Sequence, residues 1–204
     1  MKIQKFDFAH NTNVVSERLY NEHLKLYEGY ISKINEIDET LAENPEIAGS
    51  NSTYSHYRGL KKGETFALNG VILHEEYFRN MGGGRKEIGA ATTRLLNHFF
   101  GATDVWVRDF AACAASARGW CCMIYDQRGR VLRNILQDSH DDGVINMSFP
   151  IIVLDMYEHA YFMDYGTDKA AYIKNFMENI DWDIVEGRAE KVVAQLPELQ
   201  NSPR

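Results

Sequence analysis

Asp155 and His159 are side chains whose types and spacing suit metal binding. They follow the apolar run 149–154, which is typical of a buried strand, so Asp155 is expected at the strand end and His159 about one helical turn later. Carboxylate and imidazole groups are ligands for iron, manganese and zinc. The pair therefore predicts a candidate metal site. An equally good interpretation of these two residues alone is a helix cap at Asp155 and a satisfied core histidine at His159.

Two more histidines fall on apolar helix faces. Leu19, His23, Leu26, Tyr30 and Ile34 recur at three- and four-residue steps, which predicts a helix from Ser16, its N-cap, to about Ile37. A second helix is predicted over 54–81, with His74 in the middle of its apolar face, and the polar segment 38–52 is predicted to connect the two. Together, these elements predict an antiparallel helical hairpin.

Gly82, Gly83 and Gly84 end the second helix and coincide with a change of composition. We therefore predict two domains, a helical hairpin over 1–84 and a mixed α/β domain over 85–204, each supplying two metal ligands. In the second domain, helices are predicted at 88–100, 105–118, 169–179 and 182–195, and strands at 120–125, 131–136 and 149–154. The fold class is α+β, with a three-stranded antiparallel sheet.

Composition and charge narrow the possible functions. The 204 residues are 45 % hydrophobic and 25 % charged, which is typical of a globular protein. No apolar run reaches the length of a signal peptide or a membrane helix, so a soluble, cytoplasmic protein is expected. Cys113, Cys121 and Cys122 suggest reduced thiols and no disulfide framework. A formal charge of -7 argues against a nucleic-acid partner.

Residues 155–161 resemble the D-x-W-E-H-A-Y-Y signature of the iron/manganese superoxide dismutases, with Tyr157 in place of its Trp and Phe162 in place of its last Tyr. Residues 25–35 are similar to the family's K-H-H-x-x-Y-V-x-x-L-N, and residues 73–78 to its N-H-x-x-x-W. The pairs at 100–101, 119–120 and 181–182 stand where the family has F-G, G-W and N-W. The resemblance covers most of the chain and implies a metal-dependent oxidoreductase.

The resemblance makes His74, Asp155 and His159 metal ligands. Alignment of Tyr30 with the family's gateway tyrosine places Glu22 at the first ligand position, whereas His23 is one residue nearer to Tyr30. Seven helical residues make nearly two turns, so His23 shares a face with Tyr30. We predict His23 as the fourth ligand, with Glu22 as the alternative.

The resemblance also implies catalytic residues and a metal. Tyr30 would guard the entrance and pass protons, Trp120 would line the pocket, and Gln137 would hydrogen-bond the metal-bound solvent as in the manganese members. Gly70 stands where iron members place a glutamine. One manganese or iron ion per subunit is expected, with manganese slightly favoured.

The implied activity is disproportionation of superoxide to oxygen and hydrogen peroxide. A homodimer or homotetramer is expected, with Glu158 at the interface. The family's contact between a histidine and a partner's tyrosine is lost, because Leu26, Tyr27 and Phe162 stand at those positions. The altered gateway leaves two alternatives on the same fold, a non-catalytic metal-binding relative and a peroxide-active variant.

Overall fold

The helical hairpin forms from the first part of the chain. The protein is described by a computed structural model that covers residues 2–43 and 49–200. Helix α1 spans Glu17–Glu43 and helix α2 spans His56–Asn80. The His23 ring contacts the His74 ring, and Ile37, later in α1, lies close to Gly63, earlier in α2. The two helices therefore run in opposite directions. The predicted hairpin is confirmed.

Both helices begin at serine caps. The Ser16 hydroxyl accepts a hydrogen bond from the Leu19 amide at 3.2 Å, and the Ser55 hydroxyl accepts one from the Arg58 amide at 3.1 Å. Helix α1 continues to Glu43, beyond its predicted end at Ile37, because Leu41, Ala42 and Glu43 are good helix formers. The rest of the predicted connection includes residues 44–48, which lie outside the described residues.

A three-stranded sheet organises the second part of the chain. Helices α3 and α4, Ala90–Phe100 and Thr103–Ser116, precede strands β1, β2 and β3, which span Trp120–Asp126, Val131–Gln137 and Ser148–Asp155. The order is β2-β1-β3 and both pairings are antiparallel, as predicted. Trp120 pairs with Gln137 on one side and Asp155 on the other. The end of β2, the start of β1 and the end of β3 therefore meet at one edge.

The remaining helices follow this edge. A 3-10 turn spans Glu158–Ala160, followed by α5 at Phe162–Tyr165, α6 at Lys169–Glu178, α7 at Trp182–Val193 and α8 at Pro197–Gln200. In the described part of the chain, no helix has both the length and the apolar character to cross a membrane.

The hairpin packs directly on the sheet. The Asn80 side chain at the end of α2 accepts a hydrogen bond from the Val153 amide at 2.8 Å. The Arg188 guanidinium donates to the Ile151 carbonyl at 2.6 Å and forms an ion pair with Glu76 of α2. One continuous apolar core spans both parts, and the domain division at Gly82–Gly84 stays a prediction.

Candidate metal centre

Four side chains from four separate elements converge between the hairpin and the sheet edge. They are His23 of α1, His74 of α2, Asp155 at the end of β3 and His159 of the 3-10 turn, and one ligand atom from each lies within 4.8 Å of all the others. The Nε2 atoms of His23, His74 and His159 lie 3.2, 3.8 and 3.3 Å from Asp155 Oδ2. All four predicted ligands are therefore brought together.

Backbone contacts orient two of these side chains. His74 Nδ1 lies 2.6 Å from the Gly70 carbonyl of the preceding turn, which assigns the proton to Nδ1 and leaves Nε2 as a ligand atom. Asp155 Oδ1 accepts the Tyr157 amide at 2.9 Å, so that Oδ2 is the oxygen turned toward the imidazoles. Such neighbours fix the tautomer and direction of metal ligands.

The buried donor atoms fit a metal ion. His23, His74 and Asp155 are 3 %, 0 % and 0 % exposed. Within residues 2–43 and 49–200, His23 Nε2, His74 Nε2 and Asp155 Oδ2 have no partner in hydrogen-bond geometry. Buried polar atoms are rarely left unsatisfied. A divalent or trivalent cation would satisfy all three, and imidazole with carboxylate suits iron or manganese.

Protonation also favours the ligand forms. Burial lowers the pKa of His23 below its ordinary value and lowers the pKa of His74 to about 3. Burial alone would raise the pKa of Asp155, but His159 and His23 outweigh it, and that pKa lies well below the usual range. Neutral imidazoles and an ionised carboxylate are the forms that bind metal.

The geometry separates His23 from the alternative Glu22. The Glu22 side chain is about half exposed and forms an ion pair with Lys25 at 2.7 Å, away from the cluster. His23 faces inward, with its ring centroid 5.0 Å from that of His74 and 4.8 Å from that of His159. The phase of the helix therefore places His23, and not Glu22, in the cluster.

An aromatic wall made of Tyr30, Trp120 and His140 lies against His74. The ring centroids of Trp120 and Tyr30 lie 5.0 and 5.4 Å from that of His74. A Cβ atom at Gly70 would lie only 3.0 Å from the Tyr30 ring, so the absence of a side chain at Gly70 lets Tyr30 approach α2. The wall places two predicted catalytic residues beside the candidate ligands.

His140 is the site residue that sequence analysis missed. The Trp120 indole donates to His140 Nδ1 at 2.9 Å, which leaves the His140 proton on Nε2. Its ring centroid is 4.8 Å from that of Tyr30 and 5.8 Å from that of His74. The register could have indicated it, because residues after β2 reach the sheet edge that carries Asp155.

Gln137 lies at the same end of the sheet as Trp120 and Asp155. It is the last residue of β2, is 4 % exposed, and lines a cavity of about 160 Å³ together with Cys122, Val144 and His140. Its Oε1 atom has no hydrogen-bond partner in the described parts of the chain. The contacts to Trp120 and Tyr30 are made by His140. The catalytic role of Gln137 stays a prediction.

An apolar hollow opens beside His23 and His159 on the surface. It has a volume of about 570 Å³ and is lined by Leu19, Glu22, Leu26, Glu158, Phe162 and Met163 as well as the two histidines. Leu26, Phe162 and Met163 are 40 %, 50 % and 48 % exposed. The side chain of His159 is 34 % exposed, far more than the other candidate ligands. The hollow is thus an exposed apolar surface next to the site.

Comparison with known proteins agrees with this geometry. Residues 88–188 match the family described as iron/manganese superoxide dismutases, C-terminal domain. A superoxide dismutase [Fe] of Aquifex aeolicus is 36 % identical over 98 % of this chain and 97 % of its own length. A superoxide dismutase [Mn] 1 of Halobacterium salinarum is 36 % identical over 87 % of this chain and 88 % of its own. The chain therefore belongs to the iron/manganese superoxide dismutase family.

Proposed function

We infer that this protein is a superoxide dismutase, an oxidoreductase that converts two superoxide ions to oxygen and hydrogen peroxide. The observation that carries this function is the convergence of His23, His74, Asp155 and His159, whose ligand atoms lie within 4.8 Å of one another. Similarity to named dismutases over nearly the whole chain supports it.

The cofactor is one iron or manganese ion per subunit, held by these four side chains. Three neutral imidazoles and one carboxylate leave positive charge on the ion, which favours an anionic substrate. When bound, the ion supplies the one-electron redox chemistry that this side-chain set lacks.

The aromatic wall presents two hydrogen-bond donors beside the site, where peroxide formation needs protons to be delivered. Burial, and then the charge of Asp155, raise the pKa of Tyr30, so its hydroxyl stays protonated at neutral pH. Burial lowers the pKa of His140, which keeps the ring neutral with its proton on Nε2. Tyr30 and His140 thus present an O–H and an N–H donor beside the site. Proton donation by positioned side chains is an efficient form of catalysis.

Elemental analysis and a superoxide-consumption assay on the same purified sample test this function. We expect iron or manganese near one ion per chain, with activity that a chelator removes and the metal restores. Metal without superoxide consumption would contradict the dismutase and favour a non-catalytic relative. Peroxide-dependent oxidation faster than dismutation would favour the peroxide-active variant.

We further propose that two copies of the chain associate through the apolar hollow. Leu26, Phe162 and Met163 are exposed there next to His159, and a two-fold contact would bury them and cover this ligand. Glu158 is exposed beside His159 and fits such an interface. A mass of one chain by light scattering at micromolar concentration would contradict the dimer. The cytoplasmic location stays a prediction from the sequence.

A further inference from the structure

Cys113 and Cys121 form a thiol pair away from the metal centre. Cys113 lies in the last turn of α4, and Cys121 is the second residue of β1, which follows α4 after a short connection. The Cys121 thiol lies 3.8 Å from the Phe110 carbonyl, and Phe110 is about one helical turn before Cys113 on the same face of α4. The Cys121 thiol therefore faces the part of α4 that carries Cys113, and both cysteines are free thiols.

The two members of the pair differ in accessibility. Cys121 is 0 % exposed, whereas Cys113 is partly exposed at the surface of α4. Peroxide-sensitive cysteines are accessible, have thiolate character and lie next to a second, resolving cysteine. Cys113 is the accessible cysteine, and Cys121 is its candidate resolving cysteine.

Charge around the pair is consistent with these roles. Hydrogen bonding from Cys121 lowers the pKa of Cys113, against the opposing effects of burial and Asp109. Burial raises the pKa of Cys121, which keeps it a thiol donor. The Lys169 ammonium donates to the Ala115 and Ala117 carbonyls at 3.2 and 2.7 Å, directly after the turn of α4 that carries Cys113.

We propose that Cys113 and Cys121 are a peroxide-reactive pair that closes reversibly to a disulfide. The Cys113 thiolate attacks one oxygen of hydrogen peroxide, an S–O bond forms as the O–O bond breaks, and the released hydroxide is protonated to water. Cys113 is thereby oxidised to a sulfenic acid. The Cys121 sulfur then attacks the Cys113 sulfur, an S–S bond replaces the S–O bond, and the hydroxyl leaves as water with the Cys121 proton.

The proposed dismutase activity supplies the oxidant, because hydrogen peroxide is its product. The proposal rests on that function only for this source. Added peroxide tests the cysteine pair directly. The pair can therefore be confirmed or contradicted whether or not the protein is a dismutase.

Cys122 provides a matched control. Neighbouring residues of a strand point to opposite faces, so Cys122 faces away from α4 and lines the cavity beside Gln137. It is 1 % exposed, and burial raises its pKa. A general reactivity of buried thiols would affect Cys122 as well as Cys121.

The experiment treats the folded protein with hydrogen peroxide, stops the reaction with catalase, alkylates the remaining thiols and maps the peptides by mass spectrometry. We expect a Cys113–Cys121 disulfide that dithiothreitol reverses, with Cys122 still reduced. In Cys121→Ser, the Cys113 sulfenic acid should be captured by dimedone. In Cys113→Ser neither product should form, and Cys122→Ser should behave as the parent protein does.

Two outcomes would overturn the proposal. One is a parent protein in which Cys113 is oxidised to sulfinic acid without any disulfide to Cys121. The other is a parent protein that keeps all three thiols reduced under peroxide that oxidises a small-molecule thiol. Both are read on the parent protein, so a variant that fails to fold does not weaken the test.

Discussion

Beside His74, the candidate metal centre meets Tyr30, Trp120 and His140, whereas beside His23 and His159 it meets the exposed, apolar Leu26, Phe162 and Met163. The aromatic wall carries O–H and N–H groups, so it can hold and pass protons. The hollow has a mainly aliphatic and aromatic lining and is suited to burial against another surface. We propose that proton chemistry and association are separated on different sides of one cluster.

The largest loss of activity is expected from replacement of Asp155, which lies between the aromatic wall and the hollow. Asp155→Ala deletes the only anionic oxygen among the four candidate ligands and leaves three imidazoles facing an empty position. We expect the metal content and the superoxide activity to be lost together. This effect is larger than the loss of about 10–100-fold that is typical when a residue that hydrogen-bonds a metal ligand is replaced. Elemental analysis and superoxide consumption measure both.

Glu22→Gln is the matched control for that variant. Glu22 neighbours His23 in sequence but forms a surface ion pair with Lys25. Its replacement should leave metal content unchanged. Loss of metal in Glu22→Gln with full metal in Asp155→Ala would mean that the cluster has been assigned wrongly.

A second prediction concerns the aromatic wall. His140→Ala removes the acceptor of the Trp120 indole and an N–H group beside Tyr30, but no ligand. We expect retained metal and a fall in kcat of about 10–100-fold. Added neutral imidazole should restore part of the rate by supplying the missing N–H group.

Gln137→Leu sharpens the same comparison. Gln137 is buried and lines the same cavity as His140, but the contacts to Trp120 and Tyr30 are made by His140. We expect its effect on kcat to be smaller than that of His140→Ala. The reverse order would support the catalytic role that the family resemblance implies for Gln137.

Acid should destabilise the metal-free protein through the buried ligands. The folded pKa of His74 is about 3, below its unfolded value of 6.5, so the unfolded state binds more protons between these values. The stability is therefore complete above pH 6.5 and is lost as the pH falls toward 3, by at most ~1.4 kcal/mol per pH unit for each such histidine. Urea unfolding at several pH values measures this slope.

His74→Gln should flatten the slope, whereas His56→Gln, at an exposed position in the first turn of α2, should leave it unchanged. An unfolding free energy that stays constant from pH 7 to pH 4 in the metal-free parent would contradict the assignment of neutral, buried histidines.

The smallest effect on activity is expected from the hollow. Phe162→Glu places a charge on an exposed apolar residue, which should oppose association of two copies while leaving the cluster intact. Light scattering should show a shift from dimer to monomer, with metal content and activity per chain little changed. Lys174→Glu, an exposed change on α6, is the control. An unchanged mass for Phe162→Glu would place the interface elsewhere.

Much of the fold followed from periodicity and glycine. The three strands, their antiparallel pairing and the hairpin are confirmed, because apolar alternation and helical spacing are local properties of the chain. The end of α1 was predicted six residues early, because a polar sequence such as 38–43 carries no apolar pattern even though its residues form helix readily.

By itself, the sequence determined the residue types of the site, His74, Asp155 and His159, and the resemblance that carries the function. Tertiary structure decided between His23 and Glu22, because one residue on a helix turns a side chain through about 100° and only packing against α2 fixes which one faces inward. Tertiary structure also brought His140 to Trp120. The register of the strands decides which loop residues meet at the end of a sheet, and the spacing of residues along the chain does not reveal it.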